Sequence, residues 1–122
     1  MIGYVTLGTN DIKRAAKFYD VLLAELGAKR TMEFGDFIVW GNKPGAAMLA
    51  VTPPYDKKTA TIGNGVMVAF AAGSKEKVDA LYKKAISLGA TDEGAPGPRG
   101  EGFYAGYFRD LDGNKLNFFH MG

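Results

Sequence analysis

The sequence holds no cysteine and a single histidine, His120, among its 122 residues. Without thiols there is no disulfide framework, no thiolate metal or redox centre and no Cys/His nucleophilic pair, and one imidazole cannot supply a site that needs two from the same chain. Charge of one sign is also scarce. The 15 Lys and Arg against 13 Asp and Glu leave only +2, too little to point to a nucleic acid or an anionic membrane as partner. No apolar run is long enough to span a bilayer, and the opening MIGYVTLGTND has no basic segment ahead of an apolar one. The simplest expectation is a soluble, cytoplasmic protein with no membrane partner. What the chain has in quantity is apolar residues, at 47%, and 17 glycines. A chain of 13.1 kDa can bury about two-thirds of its unfolded surface, enough for one self-supporting core.

The sequence also repeats. Tyr4 to Ala28 reads YVTLGTNDIKRAAKFYDVLLAELGA and Met67 to Ala90 reads MVAFAAGSKEKVDALYKKAISLGA: a short β-like run, a polar cap, a helical stretch and a closing Leu-Gly-Ala in each. In the first copy Ile12, Ala15, Ala16, Tyr19, Leu22, Leu23 and Leu26 recur at helical spacing, Asn10 or Asp11 caps the start, and Gly27 supplies the left-handed stop. In the second, Ser74 caps, Val78, Leu81, Tyr82 and Ala85 form the apolar stripe, and Gly89 stops it. After each helix the pattern turns β. Lys29 to Phe34, Asp36 to Trp40 and Ala46 to Val51 follow the first, and Thr91 to Glu93, Phe103 to Arg109 and Lys115 to His120 follow the second. The expectation is an α+β fold of two βαβββ repeats, residues 1–55 and 64–122. Each is too small to bury a helix and a sheet alone, so they should pair into one domain whose curved, partly open mixed sheets surround a cavity.

Several segments invite a chemical label. Gly94-Ala-Pro-Gly97-Pro-Arg99-Gly100-Glu-Gly102 has the spacing of collagen triplets but far too few of them, and no Gly-Lys-Ser/Thr follows to make a phosphate loop, so it reads as a flexible loop between strands. Arg99 at its centre has the fork geometry to clamp a ligand carboxylate. Asp110-Leu-Asp112-Gly113-Asn114 lacks the glycine and glutamate positions of an EF-hand and reads as a turn between strands. His120 has the strand parity of Leu116 and Phe118, the side expected to pack on the helix, and so reads as structural or end-exposed. Trp40, Tyr4, Met48, Met67, Tyr104, Tyr107 and Phe119 put aromatic and thioether surface on the strands. Most of that surface should be core, but a curved sheet also has an inner face suited to a small molecule.

With these elements in place, TLGTNDIKRAAKFYDVLLAELGA, GNGVMVAFAAGSKEKVDAL and GAPGPRGEGFYAGYFRDLDGNKLNFF together resemble the vicinal oxygen chelate superfamily of glyoxalase, bleomycin-resistance and extradiol-dioxygenase relatives, over nearly the whole chain. The resemblance implies that fold. In metal-dependent members a divalent ion is held by His, Gln or Glu from the first and last strands of the two units. The matching positions here are Tyr4, Met67 and Asn117, with Met48 as the fourth. A phenol, two thioethers and an amide make a poor set for such an ion, so no metal and no cofactor is expected. The same residues could instead line the vacated space: Tyr4, Thr6, Met67, Ala69, Asn117 and Phe119 on one strand face, with Trp40, Met48, Arg99 and Tyr104 near it. The function expected is the binding of a small aromatic or polar organic molecule, as in the drug-sequestering relatives, and the resemblance also implies a homodimer. A lyase or dioxygenase, metal-dependent with unusual ligands or metal-free with a tyrosine acid, is the alternative. A protein-interaction module built on Tyr55 beside Pro53 and Pro54 is a third reading.

Overall fold

Both Leu-Gly-Ala segments close a helix by the same device. Helix α1 (Ile12–Ala24) and helix α2 (Lys75–Ser87) are each followed by a glycine at positive φ, Gly27 at 73° and Gly89 at 104°. The alanine after it then reaches back to a carbonyl five residues earlier, Ala28 N to Leu23 O and Ala90 N to Ala85 O, both at 3.0 Å. That contact satisfies carbonyls the helix end would otherwise leave open. The starts match too. Asp11 Oδ1 accepts from Arg14 N at 3.0 Å and Ser74 Oγ from Lys77 N at 3.1 Å. Of the two cap candidates it is Asp11 that caps.

The computed structural model describes residues 1–122, and the chain divides into two units, 1–62 and 63–122. In the first, β1 (Tyr4–Gly8), β2 (Lys29–Phe34), β3 (Phe37–Gly41) and β4 (Met48–Thr52) form a sheet in the order β1-β4-β3-β2. The β1·β4 pair is parallel and the other two are antiparallel. Tyr19, Leu22 and Leu23 of α1 and Leu7, Ile38, Trp40, Leu49 and Val51 of the sheet are buried. The Tyr19 and Trp40 rings lie 5.7 Å apart. The helix is tied to the sheet by Asp20, whose carboxylate accepts from Trp40 Nε1 at 2.9 Å and from both Arg30 Nε and Arg30 Nη2, at 2.9 and 2.7 Å.

The second unit repeats the plan with β5 (Val68–Ala71), β6 (Thr91–Pro98), β7 (Phe103–Arg109) and β8 (Lys115–Met121) in the order β5-β8-β7-β6. Val78, Leu81 and Ala85 of α2 and Phe108, Leu116 and Phe118 of the sheet are buried. The Phe118 ring sits 5.3 Å from Phe108 and 5.6 Å from Phe70. The Asp110 turn is as expected. Asp110 Oδ1 accepts from the backbone of Asp112 and Asn114, both at 2.9 Å, and Oδ2 from Asn114 Nδ2 at 3.0 Å, so the carboxylate braces its own turn. His120 lies opposite Tyr104 on β7, and Tyr104 bonds to α2, which places His120 on the helix side.

One expectation fails. The segment read as a flexible loop is strand as far as Pro98, and only Arg99 to Gly102 turn the chain. β6 is an edge strand, paired with β7 alone, and its register slips twice, after Asp92 and after Gly94. An edge tolerates prolines and bulges that a central strand cannot, and so hides a strand from a reading based on composition.

Candidate functional site

Each sheet has one face against its helix and one face without it. In the first unit the helix-free face carries Tyr4, Thr6, Met48 and Ala50, since Tyr4 pairs with Met48 and Thr6 with Ala50 across β1 and β4. The Tyr4 ring meets Phe37 edge-on at 6.3 Å. Met48 Sδ lies over Gly41, where an added Cβ would come within 3.2 Å of it, and beside Thr31 Oγ1 at 3.7 Å. At the end of this face a cleft of about 540 Å³ opens between Thr6, Phe37 and Thr52 on the strands and Pro53 to Thr61 of the segment after β4. That segment is pinned by Asn10, whose amide accepts from Ala60 N at 2.6 Å and donates to Ala60 O at 3.2 Å. The cleft was not legible in the sequence, where this stretch offers only Tyr55 beside Pro53 and Pro54.

In the second unit Asn117 lies between Ala69 on β5 and Tyr107 on β7, in register with both, on the face away from α2. Asn117 is 1% exposed. Its Nδ2 has only the Met67 thioether, at 3.8 Å, and its Oδ1 has no partner at all. Turning the amide over would exchange the two ends without adding a partner, because a thioether is a weak acceptor and has no hydrogen to donate. A buried amide oxygen without a donor costs about 1–3 kcal/mol, so the environment is one that a donor from outside the chain would complete. Phe119 shares this face and stacks on Phe103 at 5.6 Å.

Arg99 folds back over the same face. Its Nη2 donates to Ala95 O at 2.6 Å and its Nη1 to Pro98 O at 3.4 Å, while its guanidinium carbon stands 5.4 Å from the centre of the Tyr107 ring. Lys115 Nζ approaches that ring too, at 5.7 Å. Tyr107 and Lys115 were missing from the expected site. The signal for them was available, because a hairpin turned at Asp110 to Asn114 sets Tyr107 opposite Asn117, and Lys115 shares the parity of Asn117.

Two expected lining residues lie elsewhere. Trp40 is 1% exposed and donates to Asp20 on α1, and Tyr104 donates its hydroxyl to Asp79 on α2 at 2.6 Å. Both stand on helix-packed faces. Their polar tips decide it: an indole N–H or a phenol set beside a helix finds a carboxylate there.

The family model of the glyoxalase/bleomycin resistance protein/dioxygenase superfamily matches residues 1–118. The chain belongs to this superfamily. Among solved structures it is similar to a glyoxalase/bleomycin resistance protein from Albidiferax ferrireducens T118, at 36% identity over 100% of this chain and 99% of that one, with a TM-score of 0.90. A glyoxalase/bleomycin resistance protein/dioxygenase family enzyme from Burkholderia phytofirmans PsJN shares the fold at 22% identity, a TM-score of 0.78 and 98% coverage of each chain. A lactoylglutathione lyase from Agrobacterium tumefaciens does so at 21% identity and a TM-score of 0.70, over 98% of this chain and 92% of that one. No curated protein matches. Within the superfamily fold, the positions assigned to metal ligands by resemblance fall into two pairs: Tyr4 beside Met48 in the first unit, and Met67 against Asn117 in the second.

Proposed function

We propose that this superfamily member binds a small organic molecule, aromatic in part and able to donate a hydrogen bond, on the helix-free face of its second unit. The observation that carries this reading is the buried Asn117 amide with its unpartnered Oδ1. Around it the face offers what such a ligand needs: the exposed Ala69 leaves room, Met67 adapts its shape, and Tyr107 and Phe119 supply rings to stack on.

The divalent ion of metal-dependent relatives does not fit the donors present. Tyr4 offers a neutral phenol, Met48 and Met67 offer thioethers that suit soft metals, and Asn117 offers an uncharged amide. No group of three or more His, Asp or Glu stands together anywhere in the chain. The proposed activity is binding, with no step routed through a metal, and we extend the proposal to a homodimer, the assembly the resemblance implies.

Thermal shift and calorimetry against a panel of aromatic acids, amides and heterocycles test the reading. At least one compound should raise the unfolding midpoint in a saturable way and lose that effect in Asn117→Leu, because binding to the folded state alone stabilises it. A panel without effect, together with stoichiometric uptake of cobalt or nickel, would contradict it.

A further inference from the structure

We infer that the second unit's helix-free face carries an oxyanion subsite formed by Arg99, Lys115 and Tyr107, so that the molecule bound there presents a carboxylate or a phosphate ester beside the group that reaches Asn117. This rests on the reading that the face binds a small molecule, and adds the charge and chemical class of that molecule.

The first observation is an unbalanced pair of cations. Arg99 and Lys115 approach one ring from the β6 and β8 sides of β7, with centroid distances of 5.4 and 5.7 Å, and neither has a carboxylate. The acids of the neighbouring elements are engaged elsewhere. Glu93 is paired with Arg109, Asp92 accepts from Tyr82, Asp79 accepts from Tyr104, and Asp110 accepts from its own turn. Glu101, in the turn beside Arg99, pairs with neither cation. Each cation stands against the Tyr107 ring without a carboxylate, which leaves uncompensated positive charge on both sides of that ring for an anion seated at its edge.

The second observation is that Arg99 is held in advance. Gly94 and Gly97 lie beneath it: a Cβ at Gly97 would meet Nη1 at 3.1 Å, and one at Gly94 would meet Nη2 at 3.3 Å. The two missing side chains make a trough, and the carbonyls of Ala95 and Pro98 fix the guanidinium in it. These two bonds leave most of the five N–H donors open. A cation already ordered loses less freedom on binding than one that must be captured from solvent. The glycine spacing of this segment thus has a physical use that its composition alone did not suggest.

The third observation is independent and points to a ligand by itself: Asn117, directly across from Tyr107 in register, is buried with its Oδ1 unpartnered. The Tyr107 hydroxyl also makes no hydrogen bond. Cations, a free phenol and an open amide oxygen on adjoining positions define a ligand with an oxyanion at one end and a donor near it.

The test uses the full chain and two matched probe pairs, 4-aminobenzoate with 4-aminobenzamide and 4-aminophenyl phosphate with 4-aminophenol, each carrying an N–H donor for Asn117, titrated at low ionic strength while the Arg99 Nε–H and Asn117 amide resonances are followed. At least one anion should bind about ten-fold more tightly than its neutral partner, and the pair that shows the larger gain assigns carboxylate or phosphate. The gain should vanish in Arg99→Gln, shrink in Lys115→Gln, and fall in Gly97→Ala, where the trough is blocked; these exposed or half-buried positions leave the core intact. Equal affinities within both pairs, or a gain that survives Arg99→Gln, would overturn the subsite while leaving binding at Asn117 standing. Probes that move neither resonance would overturn both.

Discussion

Asn117 and Asp20 show what one side chain does when it is short of partners and when it is well supplied. Replacing Asn117 by leucine, similar in volume and apolar, should leave stability unchanged or raise it by about 1 kcal/mol, since an unsatisfied buried oxygen is removed. Ligand binding should be lost at the same time. A denaturant midpoint that falls sharply would instead show the amide to be structural. Asp20 is the opposite case. The hydrogen bonds from Arg30, working against the cost of burial and joined by that from Trp40, hold its carboxyl below the ordinary value of 3.8. A depressed folded value means that its contribution is complete above the unfolded value and is lost as pH falls through the folded one. Asp20→Asn should therefore cost about 1 kcal/mol at neutral pH, after allowing for solvent screening. It should also flatten the loss of stability below about pH 4, read from Trp40 fluorescence; an unchanged acid limb would remove the assignment.

At the scale of elements, much of the chain was legible and the errors have definite causes. The two helices, their caps and their Leu-Gly-Ala stops follow from periodicity and from glycine's access to positive φ. The Asp110 turn follows from the local hydrogen bonding of Asp and Asn. The faces of Trp40 and Tyr104 did not follow. In β3, Ile38, Val39 and Trp40 are all buried, so no alternation marks which face looks at the helix, and the carboxylates that fix both rings come from elements far away in sequence. β6 was misjudged because Gly and Pro are turn residues everywhere except at a bulged edge. Asn10 was read as a cap candidate, but a side chain that holds Ala60 fifty residues away leaves no local signal. Removing that tether by Asn10→Ala should speed proteolysis within Pro53 to Thr61 and change global stability by less than about 1 kcal/mol. Unchanged cleavage would show that the segment is held by other contacts.

For the whole molecule, the repeat carried the fold, and the proposed function rests on the departures from the repeat. Both units use the same strand order and the same helix closure. They differ where chemistry is expected: one helix-free face has a cleft walled by a tethered segment, and the other has an open amide beside an aromatic ring and two cations. If the usual ligand set has been replaced rather than hidden, restoring a pair should restore affinity for metal. Met67→His combined with Asn117→Glu puts an imidazole and a carboxylate where a thioether and an amide now meet, and should bind cobalt at least about ten-fold more tightly than the parent chain. No gain would mean that the position of this pair is not the ligand position. Native mass should show twice the 13.1 kDa of one chain, and a mass that remains at one chain would remove the homodimer.

The central proposal is that Asn117 receives a ligand at a position the resemblance assigns to a metal, and the most direct measurement is of the Asn117 side-chain amide itself. Its ¹⁵N–¹H resonance should shift saturably with at least one small aromatic anion and stay in place when cobalt is added. An amide unmoved by every compound but shifted or broadened by one equivalent of cobalt would contradict the account.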